Sequence, residues 1–74
     1  MKYDVIDFHI SCAPSQLQTA RDLLADATAS AGLEAFEDTE DGMRGYVQEE
    51  LLDREQLAVL AADVMPGVTV TYDI

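Results

Sequence analysis

Positive charge is what this 74-residue sequence has least of: four lysines and arginines stand against 15 acidic side chains, a formal net charge of −11. Lys2, Arg21, Arg44 and Arg54 cannot supply the basic stripe that neutralises phosphates, which argues against direct nucleic-acid binding. An anionic membrane surface would repel the chain for the same reason. No apolar run approaches the ~20 residues that span a bilayer, and the N-terminus lacks the basic-then-apolar profile of a signal peptide. Cys12 is the only cysteine, so an internal disulfide is impossible and a reducing, cytoplasmic compartment is the expectation. The length fits one domain. Hydrophobic residues make up 49% of the chain, enough for one small core, which rarely supplies more than about 3–5 kcal/mol unaided.

What is present is periodicity. Tyr3–Ser11 alternates, with Asp4, Ile6, Phe8 and Ile10 on one side and Tyr3, Val5, Asp7 and His9 on the other, the pattern of a strand with one buried face. Cys12-Ala13-Pro14 breaks it. Ser15 and Gln18 have the spacing of a capping box, and behind them Leu17, Ala20, Leu24, Ala27 and Ala31 recur at helical steps, with Leu23 widening the stripe and Thr28 among the polar positions. Gly32 stands at the left-handed cap. Leu33–Asp38 and Met43–Gln48 read as two strands joined through Thr39-Glu40-Asp41-Gly42, where the glycine is expected to take a positive φ. Asp53 is the expected cap of a second helix, with Leu52 and Leu57 spaced as a hydrophobic staple and Leu57, Leu60, Ala61 and Val64 as its buried stripe. Met65-Pro66-Gly67 ends that helix, and Val68–Ile74 alternates once more. The order βαββαβ, with right-handed crossovers, predicts an α+β, ferredoxin-like sandwich: a four-stranded antiparallel sheet with two helices on one face.

Little in the sequence carries chemistry by itself. Iron–sulfur binding needs four thiolates, and Cys12-Ala13-Pro14-Ser15 has serine where a soft-metal carrier would place its second cysteine. The same loop lacks the glycines and arginine of an acylphosphatase-like site. Aromatics on an open sheet could stack RNA bases, but the surrounding acids would repel the phosphates. His9 lies two residues from Asp7 on the open-face parity, an arrangement that invites acid–base chemistry, yet no nucleophile or cofactor signature accompanies it. A strand-borne histidine on a sheet face is usually a solvated or packing residue. Cys12 reads as a small apolar residue at a strand end. No catalytic, cofactor-binding or metal-ligating residue is assigned.

The acidic tract is the most informative polar feature. Glu34, Glu37, Asp38, Glu40 and Asp41 cluster around the hairpin, and Glu49, Glu50, Asp53 and Glu55 follow the third strand. Such a cluster serves either as a solubilising rim or as a patch that steers a basic protein partner. With helices on one sheet face only, Tyr3, Val5, Phe36 and Tyr46 are expected on the other as an apolar island bordered by acids. Tyr3, Val5, Phe36, Arg44 and Tyr46, with Glu34, Glu37 and Asp38 at the rim, are therefore the expected protein-binding residues. The same face could instead be covered by a second copy, giving a homodimer.

The stretch Gly32-Leu33-Glu34-Ala35-Phe36-Glu37, joined with Glu40-Asp41-Gly42-Met43-Arg44-Gly45-Tyr46-Val47, carries a resemblance. With Met1-Lys2-Tyr3, Ser11-Cys12-Ala13-Pro14 and Leu23-Leu24-Ala25-Asp26, it resembles the N-terminal domain of the bacterial ribosomal-protein methyltransferase family PrmA, which methylates the eleventh protein of the large subunit. That resemblance implies a substrate-recognition module that positions a basic ribosomal protein. It also implies a separate Rossmann-like domain that binds S-adenosylmethionine and transfers the methyl group. No glycine-rich cofactor loop occurs within the 74 residues, so no catalytic residue is carried over, and the expectation is a recognition part whose catalytic domain lies elsewhere. The alternative is a stand-alone ferredoxin-like regulatory domain that binds a small molecule at a homodimer interface.

Overall fold

In a computed structural model, which describes residues 2–74, the elements follow the expected order. They are β1 (Tyr3–Ser11), α1 (Leu17–Ala29), β2 (Ala35–Thr39), β3 (Gly42–Gln48), α2 (Arg54–Ala62) and β4 (Thr69–Asp73), with short 3-10 turns at Pro14–Gln16 and Glu49–Leu51. Met1, which opens the resemblance, lies outside the described residues. The strands form one sheet in the order β2-β3-β1-β4 with every neighbouring pair antiparallel. This is the ferredoxin-like arrangement.

Strand parity decides which side of the sheet is dry. Ile6, Phe8 and Ile10 of β1 and Met43 and Val47 of β3 are buried with Ala20 and Leu24 of α1 and Leu57 and Ala61 of α2. Val70 and Tyr72 of β4 pack against that cluster, and the Tyr72 ring lies 5.8 Å from that of Phe8. Both helices thus cover one face, and the alternate residues of each strand are left on the open one.

The two helices begin differently. Asp53 caps α2 as expected: its Oδ1 accepts from the Gln56 N–H at 3.0 Å. Ser15 does not cap α1. Pro14 starts a 3-10 turn, closed by Gln16 N–H donating to the Ala13 carbonyl, and the helix proper begins only at Leu17 without a side-chain cap. Gln18 is then the second residue of the helix, and its amide donates to Asp22 instead. Along α1 the polar assignment of Thr28 is also corrected. Thr28 is fully buried, its hydroxyl donating to the Leu24 carbonyl at 2.7 Å, and a hydroxyl satisfied by its own helix can face the core. Leu23 faces solvent, 43% exposed. The helix ends at Ala29 with Ser30 as its cap, before the expected cap at Gly32, although Gly32 does take the expected positive φ, +102°.

The hairpin turn differs from expectation as well. Thr39 pairs with Gly42, so the two-residue turn is Glu40-Asp41, and Gly42 does not have a positive φ. Its lack of a side chain serves close approach: a β-carbon there would overlap the Phe8 carbonyl oxygen of β1.

Candidate functional site

The open face is built from cross-strand rows. Reading from β2 to β4, one row runs Glu37, Arg44, Asp7, Asp73, since Glu37 pairs with Arg44, Arg44 with Asp7, and Asp7 with Asp73. Arg44 Nε donates to Asp7 Oδ1 at 2.8 Å and Nη1 to Glu37 Oε1 at 2.9 Å. The Tyr46 hydroxyl donates to the same Glu37 oxygen at 3.1 Å. Asp7 and its neighbours hold the Arg44 guanidinium firmly protonated, above its ordinary range. A single cation thus ties together carboxylates from two flanking strands, which suits the bidentate geometry of guanidinium.

Beside this row sits a second charged cluster. His9 Nδ1 lies 3.0 Å from Asp41 Oδ2 in the hairpin turn, and Nε2 lies 3.4 Å from Asp73 Oδ2 on β4. Its partners are therefore Asp41 and Asp73 rather than Asp7, which Arg44 occupies. The hydrogen bond to Asp41 raises the His9 pKa and lowers that of Asp41. No group of three or more His, Cys, Asp or Glu that could hold a metal ion occurs among the described residues.

At the other end of the face lies its apolar part. Tyr3 and Val5 are 48% and 40% exposed, Val5 pairs with Tyr46, and Tyr46 with Ala35. Glu34 borders this corner, and its carboxylate holds the Tyr3 phenol above its ordinary pKa. Of the expected protein-binding residues, Tyr3, Val5, Arg44, Tyr46 and Glu37 thus share the open face, and Glu34 stands at its edge. Phe36 and Asp38 do not belong there. Phe36 pairs with Gly45 and Asp38 with Met43, the positions of β3 that face the helices, and Phe36 packs against the core. Strand parity in an expected strand opening at Leu33 puts Phe36 on the open face, whereas β2 opens at Ala35 and its register turns Phe36 toward the helices.

Arg21 was missed altogether. From α1 its Nε donates to the Gly42 carbonyl at 2.8 Å and its Nη2 to the Thr39 carbonyl, and Asp38 Oδ1 lies 3.8 Å from Nε. The side chain is only 14% exposed. It fixes the hairpin turn that presents Asp41 to His9. The one available sequence signal was an arginine beside a helical apolar stripe.

The chain is 32% identical over 73 residues to a ribosomal protein L11 methyltransferase of Bacteroides thetaiotaomicron, a match that covers 97% of this chain and 25% of that protein. Nearly the whole chain is similar to part of a ribosomal-protein methyltransferase. The chain spans about a quarter of the length of this curated relative. No family model matches, and no solved structure matches.

Proposed function

We propose that this chain is the N-terminal substrate-recognition module of an S-adenosylmethionine-dependent ribosomal-protein lysine methyltransferase, binding and positioning a basic protein of the large subunit in the cytoplasm. The similarity that runs along 97% of the chain to an L11 methyltransferase carries this reading. The open sheet face supports it. An apolar corner of Tyr3, Val5 and Tyr46, bordered by Glu34 and Glu37 on a chain of net charge −11, is complementary to a lysine-rich protein surface. Phe36 and Asp38 take no part in the contact, being on the helix side.

S-adenosylmethionine does not fit these residues. The β1-to-α1 connection, where a nucleotide-binding fold would carry its glycine-rich turn, is Cys12-Ala13-Pro14-Ser15-Gln16 and contains a 3-10 turn. The positive-φ glycines, Gly32 and Gly67, follow the helices instead. Methyl transfer is therefore assigned to a separate catalytic domain, and no step of it is derived from this chain.

Fluorescence-monitored titration of ribosomal protein L11 into the 74-residue chain tests the proposal. Saturable binding that weakens as salt is raised from 50 to 300 mM, roughly a few-fold for a rim-charged interface, is the expected result. Absence of binding at low salt, or binding indifferent to salt, overturns it.

A further inference from the structure

The strand register leaves one stretch of sheet edge without a neighbour. β3 pairs with β1 from Tyr3 to His9, but β4 pairs with β1 only from Asp7 to Ser11. On the β4 side, Tyr3–Ile6 therefore has no adjacent strand among the described residues. The hydrogen-bond phase shows which backbone groups this leaves over. Ile10 N–H donates to the Asp41 carbonyl at 2.8 Å and Glu49 N–H to the Lys2 carbonyl at 2.9 Å. Even-numbered residues of β1 thus turn their N–H and C=O groups toward β3, and odd-numbered ones turn theirs toward β4. Tyr3 and Val5 accordingly direct their backbone donors and acceptors into the open notch at the end of β4.

Two further observations fall on the same short stretch. The Tyr3 and Val5 side chains, and Ile74 at the mouth of the notch, are among the large hydrophobic residues left exposed. Between them Asp4 carries a buried carboxylate oxygen, Oδ2, with no hydrogen-bond partner among the described residues. Buried polar atoms are satisfied almost without exception in folded proteins, so an orphan beside an unpaired strand end points to a partner that supplies the donor.

We infer that this notch takes an extended segment of a basic protein, which adds to the sheet in line with β4 and antiparallel to β1. The inference rests on the recognition reading above and names the part of the partner that is gripped. Main-chain bonds to Tyr3 and Val5 hold the segment, and alternate side chains lie over Tyr3 and Val5 on the open face. The side chains between them turn toward Asp4, where a lysine, arginine or hydroxyl donor meets the orphan oxygen. Charge selects the occupant. Asp73 stands exposed at the end of β4 beside the notch, and a second copy would bring another net charge of −11 to the same edge.

Val5→Pro separates this mode of binding from the fold. It removes an N–H that no neighbouring strand engages among the described residues, and proline is accommodated on a strand where its nitrogen faces outward. With ribosomal protein L11 as the probe, calorimetry is expected to give a dissociation constant about tenfold weaker for Val5→Pro, the loss of main-chain bonding at one residue. Asp4→Asn, which keeps the shape and removes the charge, weakens binding in the same direction. In the unaltered chain the Tyr3 and Val5 amides exchange with solvent at least about tenfold more slowly once L11 is added, a readout that stands even where Val5→Pro does not fold. If the unaltered chain binds L11 while Val5→Pro binds equally well and those amides exchange unchanged, strand addition is wrong and the recognition reading survives. If the unaltered chain does not bind L11, the recognition reading falls and takes this inference with it. Protection that appears without L11 and grows with protein concentration assigns the notch to a second copy and overturns the inference.

Discussion

Two side chains, His9 and Arg21, join elements that are far apart in the sequence. The His9 pKa is raised from its ordinary 6.5, chiefly by the hydrogen bond to Asp41. Its contribution to stability is therefore fully present below about 6.5 and is lost as pH rises through the folded-state value. Asp41 is lowered from 3.8, so its share is present above that value and is lost as pH falls through the depressed one. The pair is strongest between these limits. Acidification also relieves the self-repulsion of a chain of net charge −11, so the informative quantity is a difference: the melting temperature of the unaltered chain minus that of His9→Gln. That difference is expected to be larger at pH 6 than at pH 9; a difference independent of pH contradicts the pairing. Arg21→Ala leaves two carbonyl groups without their charged donor and is expected to destabilise by roughly 1.5–3 kcal/mol in urea titrations. Neither role was legible in the sequence. Strand parity put His9 on the open face, but its partners come from the turn and from β4, and only the register brings them together.

Secondary elements were more readable, because periodicity and caps are local. β1 matches its expected span, and α2 begins where Asp53, Leu52 and Leu57 said it would. Errors arose where two local devices competed. Ser15 with Gln18 suggests a capping box, but Pro14 is adjacent and pre-organises a 3-10 turn, which displaces the helix start by one residue. Asp53→Ala should therefore cost about 1 kcal/mol, and Ser15→Ala less than about 0.5, measured as shifts in urea midpoint at constant slope. Equal costs would contradict the assigned helix starts. In β2 the expected strand opened at Leu33 and the observed one opens at Ala35. Leu33 is buried and Glu34 and Ala35 are both exposed, so alternation read from Leu33 loses phase and sends Phe36 to the wrong side. Because Phe36 packs against the core, Phe36→Ala should destabilise by roughly 2 kcal/mol without weakening L11 binding once the variant is folded. Tyr46→Ala should do the reverse.

At the scale of the whole molecule the sequence pattern sufficed for the architecture. Six elements in the order βαββαβ leave few un-knotted antiparallel arrangements, and the sheet order β2-β3-β1-β4 is one of them. The division of labour between the faces follows. Two helices of 13 and nine residues cover one side, and the other keeps an apolar corner at Tyr3, Val5 and Tyr46 beside a charged row of Glu37, Arg44, Asp7 and Asp73. What the sequence did not disclose is that Arg44 is already engaged by two carboxylates, which leaves the net acidity of the face to meet a partner. The most direct test is to titrate ribosomal protein L11 into the isotope-labelled chain and map the perturbed amides. The account predicts that they concentrate on β1 and β3, at Tyr3, Val5, Arg44 and Tyr46 and their neighbours, while the outer surfaces of α1 and α2 stay still. Perturbations centred on the helices, or a spectrum unchanged by L11, would contradict it.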